Sequence, residues 1–267
     1  MTGSLGAFVL GVGAGLALAA SLVALRRAVR PRPDAASHPD STAEERADIA
    51  SKITHELRNP IMSVRGLAAT GARLYDSMSD DERREFFRLI DTEAARLRQI
   101  ADETSTALKI DAGRITYDLR PEDLGKLVEG VAWATLVGEH PVAVETEEGL
   151  VTPLDRLTFS EALSHLIDNA AKFSPPDAPI EIRAYGQPGG PVVEVVDHGP
   201  GIPAEQREAV FARFGKWRPA GYENTPGAGL GLFIARAHVL AHGGRIEAED
   251  APERGTIMRV TLLLGEG

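Results

Sequence analysis

The chain contains no cysteine. This excludes disulfides, iron–sulfur clusters and thiolate zinc sites, and it suits a reducing cytoplasm. Basic residues are also in deficit: 29 Lys and Arg stand against 39 Asp and Glu, for a net charge of −10. That balance argues against general nucleic-acid binding, which needs a basic face, although it leaves room for a local anion site. At 43% hydrophobic and 25% charged, the composition is that of a folded protein.

Residues 1–25 lack any ionisable side chain. The apolar run Leu5–Leu25 is long enough to cross a hydrocarbon core of roughly 30 Å as a helix. Arg26, Arg27, Arg30 and Arg32 follow at once, and basic residues tend to stay on the cytoplasmic side. Residues 1–32 are therefore expected to be a single-pass membrane anchor with the remainder in the cytoplasm. A cleaved signal peptide, the rival reading, carries its positive charge before the apolar run rather than after it. Residues 33–42, rich in Pro, Asp, Ser and Ala, are expected to be a linker.

Glycine becomes rare over 43–113, and two apolar stripes of helical period appear. Ile49, Ile53, Leu57, Ile61, Val64, Leu67, Gly71 and Leu74 form one, and Phe86, Ile90, Ala94, Leu97, Ala101, Thr104 and Leu108 the other. Between them lies a polar break with Ser79 or Asp80 as a candidate cap. Two such helices make a hairpin that buries little alone, so a four-helix bundle in a homodimer is expected. A plain dimerisation coiled coil is the simpler possibility.

Over 114–267 the pattern changes to an α+β mixture. Glu122–Gly138, Pro153–Phe173, Pro203–Phe214 and Leu230–Ala241 read as helices. Val142–Thr146, Ile180–Tyr185, Pro191–Asp197, Gly244–Glu249 and Thr256–Leu264 read as strands. Together they predict a two-layer α/β sandwich.

Three segments of this region carry chemistry. An Asp closing a strand, here Asp197 ahead of Gly199 and Gly201, can accept a hydrogen bond from an exocyclic amine. Gly227, Gly229 and Gly231 open a helix, where free N–H groups and the helix dipole favour phosphate. Asn169 offers a hard oxygen for Mg²⁺, and Lys172, three residues on, can reach a phosphate. Each segment alone is commonly just a turn or a helix end. The P-loop and dinucleotide readings fail, since no clear strand precedes Gly227 and no Lys-Ser/Thr pair follows the glycines.

In this order and with these flanks, 117–264 resembles the ATP-binding domain of the sensor histidine kinases, a superfamily shared with gyrase, Hsp90 and MutL. The resemblance implies that Asn169 holds Mg²⁺ and that Lys172 and Phe173 are the basic and aromatic positions after it. It further implies that Asp197, Gly199 and Gly201 bind adenine and that Gly227, Gly229 and Gly231 form the second glycine box. Phe211 and Phe214 match a two-phenylalanine box, and 215–226 a mobile lid. One departure stands out: the family usually has an asparagine four residues before Asn169, and here it is His165. A histidine there can still hydrogen-bond a water or a phosphate, and the plain alternative is a half-buried helix histidine.

The run His55-Glu56-Leu57-Arg58-Asn59-Pro60 in the first helix resembles the phosphoacceptor box of the same family. Ile53 and Leu57 lie on the apolar stripe, so His55 points away from it. The resemblance implies that His55 accepts the phosphoryl group and that Glu56 is the general base. It also implies that Asn59 orients water for a phosphatase reaction. Pro60 removes one backbone hydrogen bond and predicts a kink. The implied function is ATP-dependent autophosphorylation of His55, followed by transfer to an aspartate of a response regulator in trans. The alternatives are a degenerate nucleotide-binding dimer and a non-kinase ATPase of the superfamily.

Overall fold

The structure, a computed structural model, describes residues 39–135, 140–215, 217–223 and 225–263. The expected anchor over 1–32 lies outside these residues, as does the linker up to residue 38. Among the described residues no helix is long and apolar enough to cross a membrane. The chain divides into two compact units, one ending at Ser105 and the other beginning at Thr106.

The first unit is built from α1 (Pro39–Leu74) and most of α2 (Asp80–Asp111), joined by a short 3₁₀ turn over Tyr75–Ser77. The start of α2 is fixed by reciprocal capping. The Ser79 hydroxyl accepts from the Glu82 amide at 3.3 Å, and the Glu82 carboxylate accepts from the Ser79 amide at 2.7 Å. Gly71 allows the helices to approach closely, because a Cβ there would lie 3.1 Å from the Phe86 ring. Ile53, Leu97 and Thr104 are buried, in line with the two stripes, and Ile100, outside them, is buried as well. Ile61, expected in the stripe, is instead exposed, as are Met62 and Phe87. A two-helix hairpin has no third element to cover that side.

The second unit has a five-stranded sheet in the order β2 (Val142–Thr146), β4 (Ile180–Gln187), β5 (Gly190–Val196), β7 (Thr256–Leu262), β6 (Gly244–Asp250). Only the β2–β4 pairing is parallel. Helices α3 (Leu124–Thr135), α4 (Arg156–Phe173) and α5 (Gly231–Ala241) supply the second layer. Phe159, Leu163, Leu166 and Ile167 of α4 form one core with Ile182, Val193, Met258 and Val260 of the sheet. The other sheet face carries charge: Arg259 pairs with Glu194 at 2.6 Å and with Glu249 at 2.9 Å.

Two sequence expectations change here. Arg120–Asp123 (β1) and Val151–Leu154 (β3) form an antiparallel pair, so the first helix starts at Leu124 instead of Glu122. The helix expected over 203–214 is two 3₁₀ turns, Ala204–Gln206 and Ala209–Phe211. Ala212 is extended and Phe214 has φ 58°, and neither continues a helix.

A buried polar chain ties α4 to α5. The wholly buried His238 of α5 meets Glu161 of α4 at 3.2 Å through Nε2 and the Tyr117 hydroxyl at 3.0 Å through Nδ1. His242 Nδ1 donates to the His238 carbonyl at 2.7 Å, and its Nε2 accepts from the Asp155 amide at 3.0 Å. The hydrogen bond to His238 is the main reason the Glu161 carboxyl is held below its ordinary range. A depressed folded pKa stabilises above the unfolded carboxylate value, near 4.3, and the contribution is lost as pH falls through the folded value. The stability advantage of the native chain over Glu161→Gln should therefore shrink on acidification below about pH 4, as read by urea unfolding at several pH values. By the same measurement, Phe159→Ala should cost about 3–5 kcal/mol, the usual loss for a buried phenylalanine.

Candidate functional site

Asp197 follows β5 and is buried. Its Oδ1 accepts from the Gly199 amide at 2.8 Å and from the Thr256 amide at 3.1 Å. Burial is the larger influence and raises the carboxyl pKa, while these two amides work against it. Both amide bonds fall on Oδ1, and the carboxylate, which also takes a hydrogen bond from the Thr256 side chain, keeps acceptor capacity for a ligand amine.

The surrounding backbone is packed very closely. A Cβ at Gly199 would lie 2.6 Å from the Phe173 carbonyl oxygen, which sets the Asp197 turn directly against the end of α4. A Cβ at Gly255, where φ is 113°, would overlap the Asp197 carbonyl. Gly255 and Thr256 thus shape the site, although no sequence signal singled them out. Their only mark in the sequence is a glycine opening the last strand.

The second glycine box lies against the same helix. A Cβ at Gly231 would be 3.1 Å from His165 Nδ1. A Cβ at Gly229, with φ 72°, would meet the Gly215 carbonyl oxygen at 2.8 Å, which brings together the two ends of the segment 215–226. Arg218 of that segment lies over the Phe173 ring at 5.6 Å and reaches the Gly227 carbonyl at 3.5 Å. Tyr222 packs its ring 5.7 Å from that of Phe173. The structure therefore brings together all three sequence-predicted segments: Asn169, Lys172 and Phe173; Asp197, Gly199 and Gly201; Gly227, Gly229 and Gly231. Lys172 is ion-paired with Asp168 one turn back on α4. His198 is turned to Glu181 at 3.2 Å.

His165 lies four residues before Asn169 on α4, which places the two on one helix face. Burial lowers its pKa, so the ring is neutral near pH 7. Its Nε2 is buried and has no hydrogen-bond partner among the described residues.

In the first unit His55 stands out from α1 with its side chain 69% exposed. Its Nδ1 is 3.5 Å from a carboxylate oxygen of Glu56. Asn59 follows one turn later on α1 and is exposed, and Pro60 is buried.

Comparison with known proteins agrees with this division. Residues 45–113 match the His Kinase A (phospho-acceptor) domain. Residues 154–266 match the histidine kinase-, DNA gyrase B- and HSP90-like ATPase family. The chain belongs to the histidine kinase family. It is 27% identical over 220 residues to the sensor protein KdpD of Clostridium acetobutylicum, covering 81% of this chain and 24% of that protein. It is 29% identical over 230 residues to the sensor protein ChvG of Agrobacterium fabrum, covering 80% of this chain and 38% of that protein. The solved Acinetobacter baumannii histidine kinase AdeS shares the fold, with a TM-score of 0.61 at 21% identity over 79% of this chain and 98% of that one. The histidine kinase chain spans about a quarter of the length of the first curated relatives it matches.

The Asp197 arrangement generates a direct test. Gly255→Ala should weaken adenine-nucleotide binding by at least about tenfold, because the new methyl displaces the Asp197 turn. Asp197→Asn should weaken binding of ATP more than that of a purine nucleotide lacking the exocyclic amine. Titration of a fluorescent ATP analogue, with circular dichroism to check folding, reads the first effect; competition by inosine triphosphate reads the second.

Proposed function

We propose that the chain uses ATP to phosphorylate His55 and then passes the phosphoryl group to an aspartate of a separate response regulator. The observation that carries this reading is the pairing of an exposed His55 with Glu56, in a chain that also holds the assembled nucleotide segments. Glu56 lies on the Nδ1 side of the ring, so Nδ1 carries the proton and Nε2 presents its lone pair. Nε2 attacks the γ-phosphorus of ATP, the bond from that phosphorus to the β,γ-bridging oxygen breaks, and ADP leaves. Glu56 takes the Nδ1 proton as charge builds on the imidazole. In the second step the phosphorus–nitrogen bond breaks as an aspartate oxygen of the regulator attacks.

Mg²⁺ is the metal the nucleotide would bring. Asn169 supplies a hard oxygen that fits it. No group of three or more His, Cys, Asp or Glu side chains among the described residues could hold a metal unaided, so the phosphates would supply much of the coordination. When bound, the ion neutralises charge on the phosphates during transfer.

The exposed apolar residues Ile61, Met62 and Phe87 support pairing of the hairpin with a second copy. Residues 1–32 would anchor that dimer in the cell membrane as a single pass, with the catalytic part in the cytoplasm and no nucleic-acid partner. Residues 33–38 would link the anchor to the phosphotransfer hairpin, whose first helix begins at Pro39 and so takes up the last four residues expected as linker, and 114–267 would form the catalytic domain. Asn59, one turn beyond His55, suits the orientation of a water for removing phosphate from the regulator.

The test is autophosphorylation of the full chain with γ-labelled ATP and Mg²⁺. Wild type should gain acid-labile, alkali-stable label, and His55→Gln should gain none. Glu56→Gln should slow labelling by about 100-fold or more, the usual scale for losing a general base. Label that persists in His55→Gln, or nucleotide binding with no label at all, would refute the assignment.

A further inference from the structure

The nucleotide segments hold one donor that a magnesium site does not call for. Mg²⁺ takes oxygen ligands, whereas imidazole nitrogen suits first-row transition ions. His165 and Asn169 lie four residues apart on α4. That is the spacing with which two histidines on one helix hold a single zinc ion. The His165 ring is placed at the nucleotide segments by its contact with Gly231, the residue that opens α5. Its Nε2 is buried and has no partner among the described residues. A buried nitrogen of that kind calls for a water or an ion.

We propose that His165 and Asn169 form a nitrogen–oxygen clamp for the nucleotide's metal, and that this site favours a transition ion such as Mn²⁺ over Mg²⁺. The proposal rests on the ATP-site reading above. The neutral ring supplies an Nε2 lone pair, Asn169 supplies its amide oxygen, and the triphosphate supplies the remaining protein-independent ligands. Asp168 and Glu161, which flank His165 on α4, add negative potential, and the cation Lys172 is already paired with Asp168. An asparagine at position 165 would give an all-oxygen pair and remove the preference. His165 is thus a specificity-determining residue for the metal, and it takes no part in proton transfer.

The test uses the full chain and AMPPCP, an ATP analogue with no nitrogen in its phosphate chain. Its dissociation constant is measured by calorimetry in Mg²⁺ and in Mn²⁺, for wild type and His165→Asn. The Mg²⁺-to-Mn²⁺ ratio of dissociation constants should drop by about tenfold in the variant, in keeping with loss of one nitrogen ligand. Electron spin echo modulation of the wild-type Mn²⁺ complex should show ¹⁴N coupling from a coordinated imidazole. Because that spectrum comes from the unaltered protein, a variant that fails to fold does not remove the test. Binding of AMPPCP with no ¹⁴N coupling would overturn the clamp while leaving the ATP site intact. No binding in either metal would overturn both.

Discussion

The carboxylate of Asp197 sits in the interior just beyond β5, and two backbone N–H groups, from Gly199 and Thr256, point at one of its oxygens. A buried carboxylate without such donors would be strongly disfavoured. The two donors come from different parts of the chain, one from the turn that carries Asp197 and one from the start of β7. The same pair of bonds therefore fixes the orientation of the acid and pins the end of one strand to the beginning of another. The rest of the site follows from that junction. Gly199 lies against the end of α4, α4 brings Asn169 and His165, and His165 touches the opening of α5. Side chains larger than hydrogen at these contacts would push the segments apart, so glycine here is a matter of distance before it is one of flexibility.

The hairpin unit solves a different problem. A histidine proposed to accept a phosphoryl group must be solvated and reachable, yet it must sit on an element stiff enough to hold its neighbours in place. Burial of Ile53 on one face of α1 and exposure of His55 two residues later meet both needs through helix geometry alone. Glu56 comes into reach of the ring because it is the next residue, so its position depends on little beyond the helix itself.

Much of this was legible in the sequence. The two helices, the five main strands and the three nucleotide segments announce themselves through periodicity and glycine spacing, since those patterns are local. The reciprocal cap at Ser79 was likewise marked by residue type. What escaped was non-local. Gly255 is one glycine among 27, and only the packed structure shows that it faces the Asp197 carbonyl. The β1–β3 pair joins two four-residue strands separated in sequence by α3 and β2, too short for alternation to show. Residues 203–214 have helical composition, but the backbone of Ala212 and Phe214 breaks the pattern there. The place of His165 against Gly231 depends on how α4 and α5 meet, which no spacing within either helix reveals.

Phe214 also has an energetic consequence. It is the one non-glycine residue with positive φ among those described, and it stands at the root of the segment that would cover a nucleotide. A bulky side chain held in that region costs about 1–3 kcal/mol. Stored strain of that size changes a two-state population by roughly five- to 150-fold. A rearrangement that lets this single dihedral relax would release it. The segment that would cover a nucleotide is thus attached at a strained residue.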